Sequence, residues 1–425
     1  MPAAPALSLK RLSGDDRGGV AIMFGLSAMV ITMLAGIAVD YSRINHERSR
    51  MFASIDAAAL AAGKAMLDGR MGDDEVRAMA LAYFEKNLEG SGPGFGKLQN
   101  FSVDLDRSTN GVTIKADVEV PMTLTRVAGF ERVVFPVSAS TLFEQNDIEL
   151  SLALDVTGSM QPIGKLDALQ DASKDLFEIL LPDGGTPNKV RIALAPYASG
   201  VNVGSYDLSI AGKTAPGGCV FERQDGDNAS ERPPVDGTYF KVRGDAGVSA
   251  TAPCPTARIV PLTSDRGLLE REVEAYRADY STAGHLGAIW AANMLSPDWG
   301  PIFGGDSAPA PYRDGKTIKA MLLMTDGLFN TMGGVNRGDD SPTATQSQRI
   351  AVDVCERARN ENVIVFAIGF KLDEIGNPGR RRRAEQTLRD CAGASTRYFE
   401  ATARDELRSA FQAIAVQLNK LRLTN

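Results

Sequence analysis

The chain is short of the side chains on which most zinc proteins and hydrolases depend: its 425 residues include two histidines, His46 and His285, and four cysteines, none set in a CxxC pair. That scarcity argues against a zinc site, and it leaves Ser-His-Asp and Cys-His catalytic schemes almost without a base. Positive charge is not in surplus either. The net charge is −7 and no long basic stripe interleaves with aromatics, so nucleic acid is not an expected partner. With 44% hydrophobic and 23% charged residues, the composition is that of a folded chain, and its length predicts one large domain plus a smaller one.

Charge is missing altogether from residues 19–39, an uncharged run of 21 residues bounded by Arg17 and Asp40. As a helix rising ~1.5 Å per residue, this run spans a hydrocarbon core of roughly 30 Å. The alternative is a cleaved signal peptide, but its apolar core is typically ~7–15 residues long and ends at a small-x-small site, neither of which matches here. A retained single span at 18–40 is therefore expected. Lys10, Arg11 and Arg17 before it are matched by Arg43, Arg48 and Arg50 after it, so local charge does not orient it. The cysteines do. All four lie far beyond the run, Cys219 and Cys254 in a polar stretch where free thiols would be a liability, and an even count suits disulfides in an oxidising compartment. The expectation is a cytoplasmic tail at 1–17, with the rest extracytoplasmic. Of the three possible pairings, Cys219–Cys254 and Cys355–Cys391 are expected.

Beyond the span, 41–67 is alanine-rich and proline-free, predicting that the helix continues outward as a stalk. A second helix is expected from Asp73 as cap, with Val76, Met79, Ala80 and Tyr83 on one face, before the Gly/Pro break at 90–94. Phe101, Val103 and Leu105 alternate, Asn110-Gly111 turns, and Val112 to Val120 alternate back, which reads as a hairpin. With a strand at 133–137 these complete a small α+β module within 41–145. From Asp147 onward strands alternate with helices, which predicts an α/β domain at 146–425 with a doubly wound, mostly parallel sheet. A Gly-, Pro- and Asp-rich stretch at about 205–256 reads as an insertion closed by a disulfide.

In such sheets ligands bind beyond the carboxyl ends of the strands. The first strand runs into Asp155-Val156-Thr157-Gly158-Ser159, a D-x-[ST]-x-S pattern with one carboxylate and two hydroxyls on one turn. Thr282 precedes a helix, and a later strand runs into Thr325-Asp326-Gly327. Oxygen donors of this kind suit a hard divalent cation. Magnesium takes about six oxygens and keeps several waters, and few direct negative ligands leave the ion electrophilic toward a carboxylate from outside.

These three motifs, in this order on an alternating α/β pattern, resemble the metal-ion-dependent adhesion site of von Willebrand factor A domains. By that likeness Asp155, Thr157 and Ser159 are the first motif, Thr282 the second and Asp326 the third, holding Mg2+ (or Mn2+ or Ca2+). The family more often has serine at the Thr157 position, but a threonine hydroxyl can serve as ligand. Thr282 is chosen for Gly287 five residues on, with Ser281 as its rival. Arg17-Gly18-Gly19-Val20-Ala21-Ile22, Ala38-Val39-Asp40-Tyr41 and Asp56-Ala57-Ala58-Ala59-Leu60-Ala61 resemble the amino-terminal module of TadG-like proteins of tight-adherence (Flp) pilus systems. Leu295-Ser296-Pro297 and Cys391 ahead of Tyr398-Phe399 also fit that group. The resemblance implies a non-enzymatic part in pilus assembly, anchoring or adhesion, with pilus or secretion-machinery components and a carboxylate-bearing protein ligand as partners.

Other motifs have plainer readings. Asp225-Gly226-Asp227-Asn228 lacks the later glutamate of a calcium loop and reads as a solvated turn. Arg380 to Arg383 reads as a solvated basic run, and the Arg-Gly-Asp tripeptides at 243–245 and 337–339 as Gly-rich turns. A magnesium-dependent phosphohydrolase with Asp155 as nucleophile is the rival function, but such enzymes want a carboxylate two residues on, where Thr157 stands. A metal-free structural scaffold is the third reading.

Overall fold

The computed structural model describes residues 17–68, 71–90, 96–107, 110–142, 146–161, 164–183 and 189–422. The expected cytoplasmic tail, apart from Arg17, and most of the Gly/Pro break lie outside the described residues. The chain divides between Glu144 and Gln145 into two compact units.

In the amino-terminal unit, α1 (Arg17–Asp68) is one uninterrupted helix of 52 residues. No proline interrupts its hydrogen-bond ladder. After α2 (Asp73–Gly90) come β1 (Lys97–Asp106), β2 (Gly111–Pro121) and β3 (Arg132–Leu142), an antiparallel sheet with β2 central. The period-2 pattern of β2 buries Val112, Ile114, Ala116, Val118 and Val120 in one core with Met51, Ile55, Ala58, Ala59 and Ala62 of α1. Two expectations for α2 fail. Its buried stripe runs Val76, Ala80, Phe84 at a strict four-residue interval, which leaves Tyr83 outside. Asp73 is no cap either: its carboxylate accepts from Arg107 Nε at 2.7 Å, while Glu75 closes the helix start by accepting the Gly72 amide.

The second unit is built on a six-stranded sheet. Its elements are β4 (Asp147–Asp155), α3 (Lys165–Leu180), β5 (Val190–Tyr197), β6 (Val260–Thr263), α4 (Arg266–Glu274), α5 (Gly284–Asn293), β7 (Thr317–Thr325), α6 (Pro342–Asn360), β8 (Ile364–Phe370), α7 (Pro378–Ala392), β9 (Tyr398–Ala401) and α8 (Arg404–Arg422). The strand order is β9-β8-β7-β4-β5-β6, and every pairing is parallel except that of β5 with β6. The sheet is thus mixed, with an antiparallel edge that the sequence reading did not anticipate. Pro261 within β6 fits that placement, because a strand with a missing amide donor is tolerated at an edge. Leu150, Leu152 and Leu154 face a core shared with α3, α4 and α8, whereas Ala153, Met321 and Leu323 face one shared with α5, α6 and α7.

Both faces of the sheet are therefore covered. From β4 the chain goes to β5 and β6 on one side, then crosses to β7 on the other, so the order reverses between β4 and β7. Loops leaving the carboxyl ends of those two strands open a crevice there. Disulfides join Cys219 to Cys254 within the insertion and Cys355 on α6 to Cys391 on α7.

Candidate metal centre

Asp155 is the last residue of β4, and Thr325 the last of β7, its neighbour in the sheet. Parallel pairing in register carries both strand ends to the same level. Asp326 then emerges beside the turn that carries Thr157 and Ser159. The Thr157 amide and hydroxyl both donate to Asp155 Oδ1, at 2.9 and 2.6 Å. Ser159 Oγ lies 2.9 Å from Thr157 Oγ1 and donates to Asp326 Oδ1 at 2.5 Å. Thr282 Oγ1 approaches Thr157 Oγ1 at 3.4 Å. All five side chains singled out from the sequence therefore form one contiguous set of oxygens. Ser281, the rival of Thr282, lines the same cleft but bonds elsewhere: its hydroxyl accepts from Asn336 and its amide donates to Ser199.

Several supporting residues escaped the sequence reading. Thr325 Oγ1 donates to Asp155 Oδ2 at 2.6 Å, and the buried Tyr197 donates its hydroxyl to the Met324 carbonyl at 2.9 Å. Gly287 makes room for that ring, since a Cβ there would come within 2.3 Å of Tyr197 Cδ1. Lys165, in the first turn of α3, reaches Asp326 Oδ2 at 3.0 Å and Glu374 Oε2 at 2.8 Å. Its signal was the lysine six residues after Ser159, legible only once α3 is known to begin there. The cleft above these groups measures about 550 Å³ and is lined by Ser159, Lys165, Thr282, Asp326, Glu374 and Arg380 among others.

The electrostatics suit a cation. Burial, then the nearby Asp326 charge, pushes the Asp155 carboxyl up to about 7, against the hydrogen bonds from Thr157 and Thr325 that favour its ionised form. Burial opposes the Lys165 charge too, but Glu374 and Asp326 together hold that ammonium above its ordinary pKa. Two carboxylates and three hydroxyls thus share a site at the floor of the cleft with one fixed positive charge. That is a hard, oxygen-only donor set, and among the described residues no group of three or more His, Cys, Asp or Glu offers a richer one. The residues fit a small divalent ion.

The remaining motifs are tied up internally. In the turn at 225–228, Asp225 accepts the Asp227 amide and Asn228 the Arg223 amide. The basic run is solvated, as expected, and is also paired at the surface: Arg380 and Arg383 bind Asp340, and Arg381 binds Glu385 and Glu400. Asp245 of the first Arg-Gly-Asp tripeptide pairs with Lys213, and Asp339 of the second with Arg380.

Residues 18–65 match the Tad family model, described as "Putative Flp pilus-assembly TadE/G-like". A search of curated proteins found no match. Among solved structures, the chain is similar to the pilus adhesin SpaC from Lactobacillus rhamnosus GG in its open conformation, at 12% identity and TM-score 0.40, covering 77% of this chain and 34% of that one. It thus spans about a third of the length of SpaC. It is also similar to the vWF domain of the type V pili tip protein Mfa5 from Porphyromonas gingivalis, at 14% identity and TM-score 0.40, covering 67% of this chain and 98% of that one. A third is proximal thread matrix protein 1 from the mussel byssus with a zinc-occupied MIDAS motif, at 13% identity and TM-score 0.32, covering 65% and 48%. Over residues 18–65, the chain is similar to the TadE/G-like Flp pilus-assembly family.

Proposed function

We propose that the protein is a single-span inner-membrane protein whose second unit, residues 146–425, is a von Willebrand A-type domain that binds a protein ligand through a divalent ion, in the assembly, anchoring or adhesion of a tight-adherence pilus. The observation that carries this reading is the meeting of Asp155, Thr157, Ser159, Thr282 and Asp326 at the switch point between β4 and β7. These side chains would hold Mg2+, or Mn2+ or Ca2+ in its place, and the bound ion would supply an electrophilic position for a carboxylate of the partner. Residues 1–17 form the cytoplasmic tail, 18–40 the span, and 41–145 the stalk and small module. The match to a pilus-assembly family over 18–65 supports a pilus or secretion-machinery component as partner. The two disulfides support an extracytoplasmic location.

A phosphohydrolase role is disfavoured by the state of Asp155, which is fully buried with both oxygens already accepting hydrogen bonds. The deciding experiment is crosslinked capture of partners by the full-length chain in membranes, with and without chelator, beside Asp155→Ala at matched level. Capture and pilus display that survive both changes would remove the site from the mechanism.

A further inference from the structure

The connection between β2 and β3 carries apolar side chains that are half or more exposed among the described residues of the amino-terminal unit. Leu124 is 50% exposed, Val127 92% and Phe130 65%. Hydrophobic side chains cluster at a loop tip only at a cost in water, and this loop is not loose. Met122 N donates to Glu131 O across its neck, and Gly129, at φ +95°, takes the left-handed conformation that turns the chain back.

The loop is clasped to α1 at one height. Asp40, at the end of the uncharged run, is buried, and its carboxylate accepts the amides of Thr123, Leu124 and Thr125 at 3.3, 2.9 and 2.8 Å, plus the Thr125 hydroxyl at 2.8 Å. One turn earlier, Gly36 lets the loop close in: a Cβ there would sit 3.0 Å from Leu124 Cβ. Gly36 precedes Asp40 by four residues, so at ~1.5 Å per residue Leu124 lies roughly 6 Å below the charged end of the span. Interfacial anchors bury their apolar face about 5–10 Å into the boundary between headgroups and acyl chains.

We propose that residues 122–131 are a membrane-interface anchor, in which Leu124, Val127 and Phe130 insert into the outer leaflet of the same bilayer that α1 crosses, with Arg126 extending to the headgroups. The occupant is lipid rather than protein because the loop is fixed to the span itself, at the depth where acyl chains begin. The clasp at Asp40 then has two effects. It adds three amides and a hydroxyl to a carboxylate that also pairs with Arg43 on the same helix at 3.7 Å, and it holds the small module against the bilayer surface. The inference rests on the reading of 19–39 as a span, and its test separates the two.

The full-length chain carrying Val127→Cys, a position exposed enough to accept a nitroxide label without disturbing the fold, is reconstituted in phosphatidylethanolamine and phosphatidylglycerol bilayers. Collision with oxygen and with a water-soluble nickel chelate is compared with Val30→Cys in the span and Lys115→Cys on β2. The expected result is an oxygen-to-nickel ratio at 127 close to that at 30, and on the order of several-fold above that at 115, as for a side chain among acyl chains. A ratio at 127 equal to that at 115 overturns the loop proposal alone. Low collision with both reagents signals protein contact and also overturns it. A water-accessible label at position 30 overturns the span and the loop together.

Discussion

Ser159 donates its hydroxyl to Asp326 at 2.5 Å across a sequence separation of 167 residues, joining the turn after β4 to the turn after β7. The bond exists only because the two strands are parallel neighbours. Replacing Ser159 with Ala is expected to leave the fold intact while abolishing the rise in melting temperature that Mg2+ produces in the parent. At 100 times the dissociation constant that rise corresponds to about 2.7 kcal/mol, readable by calorimetry. An undiminished Mg2+ shift in the variant would count against Ser159 as a ligand.

Asp155 supplies a prediction with a sign. Its folded pKa, raised to about 7, lies above the unfolded value, so the metal-free protein loses stability from this group as pH rises from about 4 to about 7. Asp155→Asn removes the buried charge. Metal-free stability at pH 8 should rise by about 1–3 kcal/mol, seen as a higher melting temperature, while the Mg2+ response disappears. A lower melting temperature at pH 8 would contradict the argument.

Lys165 already neutralises part of the site, and its ammonium and an incoming ion compete for Asp326. Lys165→Met should therefore tighten Mg2+ binding by about tenfold, the effect of removing roughly 1.4 kcal/mol of repulsion. Titration calorimetry on the full chain decides it, and weaker binding would mean that Lys165 organises the site instead.

At the opposite end of the same strands, the buried Glu149 receives Lys319 and Arg191, and its Oε1 accepts the Ala310 amide at 2.8 Å. Glu149→Gln leaves two cations without a counter-charge in the core. The expected loss is about 3–5 kcal/mol in urea unfolding, with no change in Mg2+ affinity beyond that of the destabilised fold.

Glu222 from the insertion receives His285 of α5 at 3.0 Å and the Gly333 amide at 2.9 Å. Burial alone would raise its carboxyl, but the hydrogen bond and charge of His285 and the Gly333 amide hold it below the usual glutamate range. A depressed folded value means that its stability is present above the unfolded pKa of about 4.3 and is lost as pH falls below it. Glu222→Gln should flatten the acid limb of melting temperature against pH. A limb as steep as the parent's would assign acid sensitivity to other groups.

Much of this architecture is written locally. The uncharged run of residues 19–39, the period-2 alternation of β2 and the strand–helix alternation after Asp147 depend on which neighbours a residue has within one turn or one pleat, and those neighbours are visible in the sequence. So are the residue types of the candidate site, because Asp155, Thr157 and Ser159 share a turn. What the sequence did not carry was direction and company. The antiparallel β6 edge follows from which side of β5 remains open, and the rotation of α2 that exchanges Tyr83 for Phe84 is set by α1 and by Phe101 of β1, against which it packs. Lys165, Thr325, Tyr197 and Glu374 gain their roles only when separate elements meet. Tertiary structure decided these because burial and charge pairing act over distances of a few ångströms in space, whatever the separation along the chain.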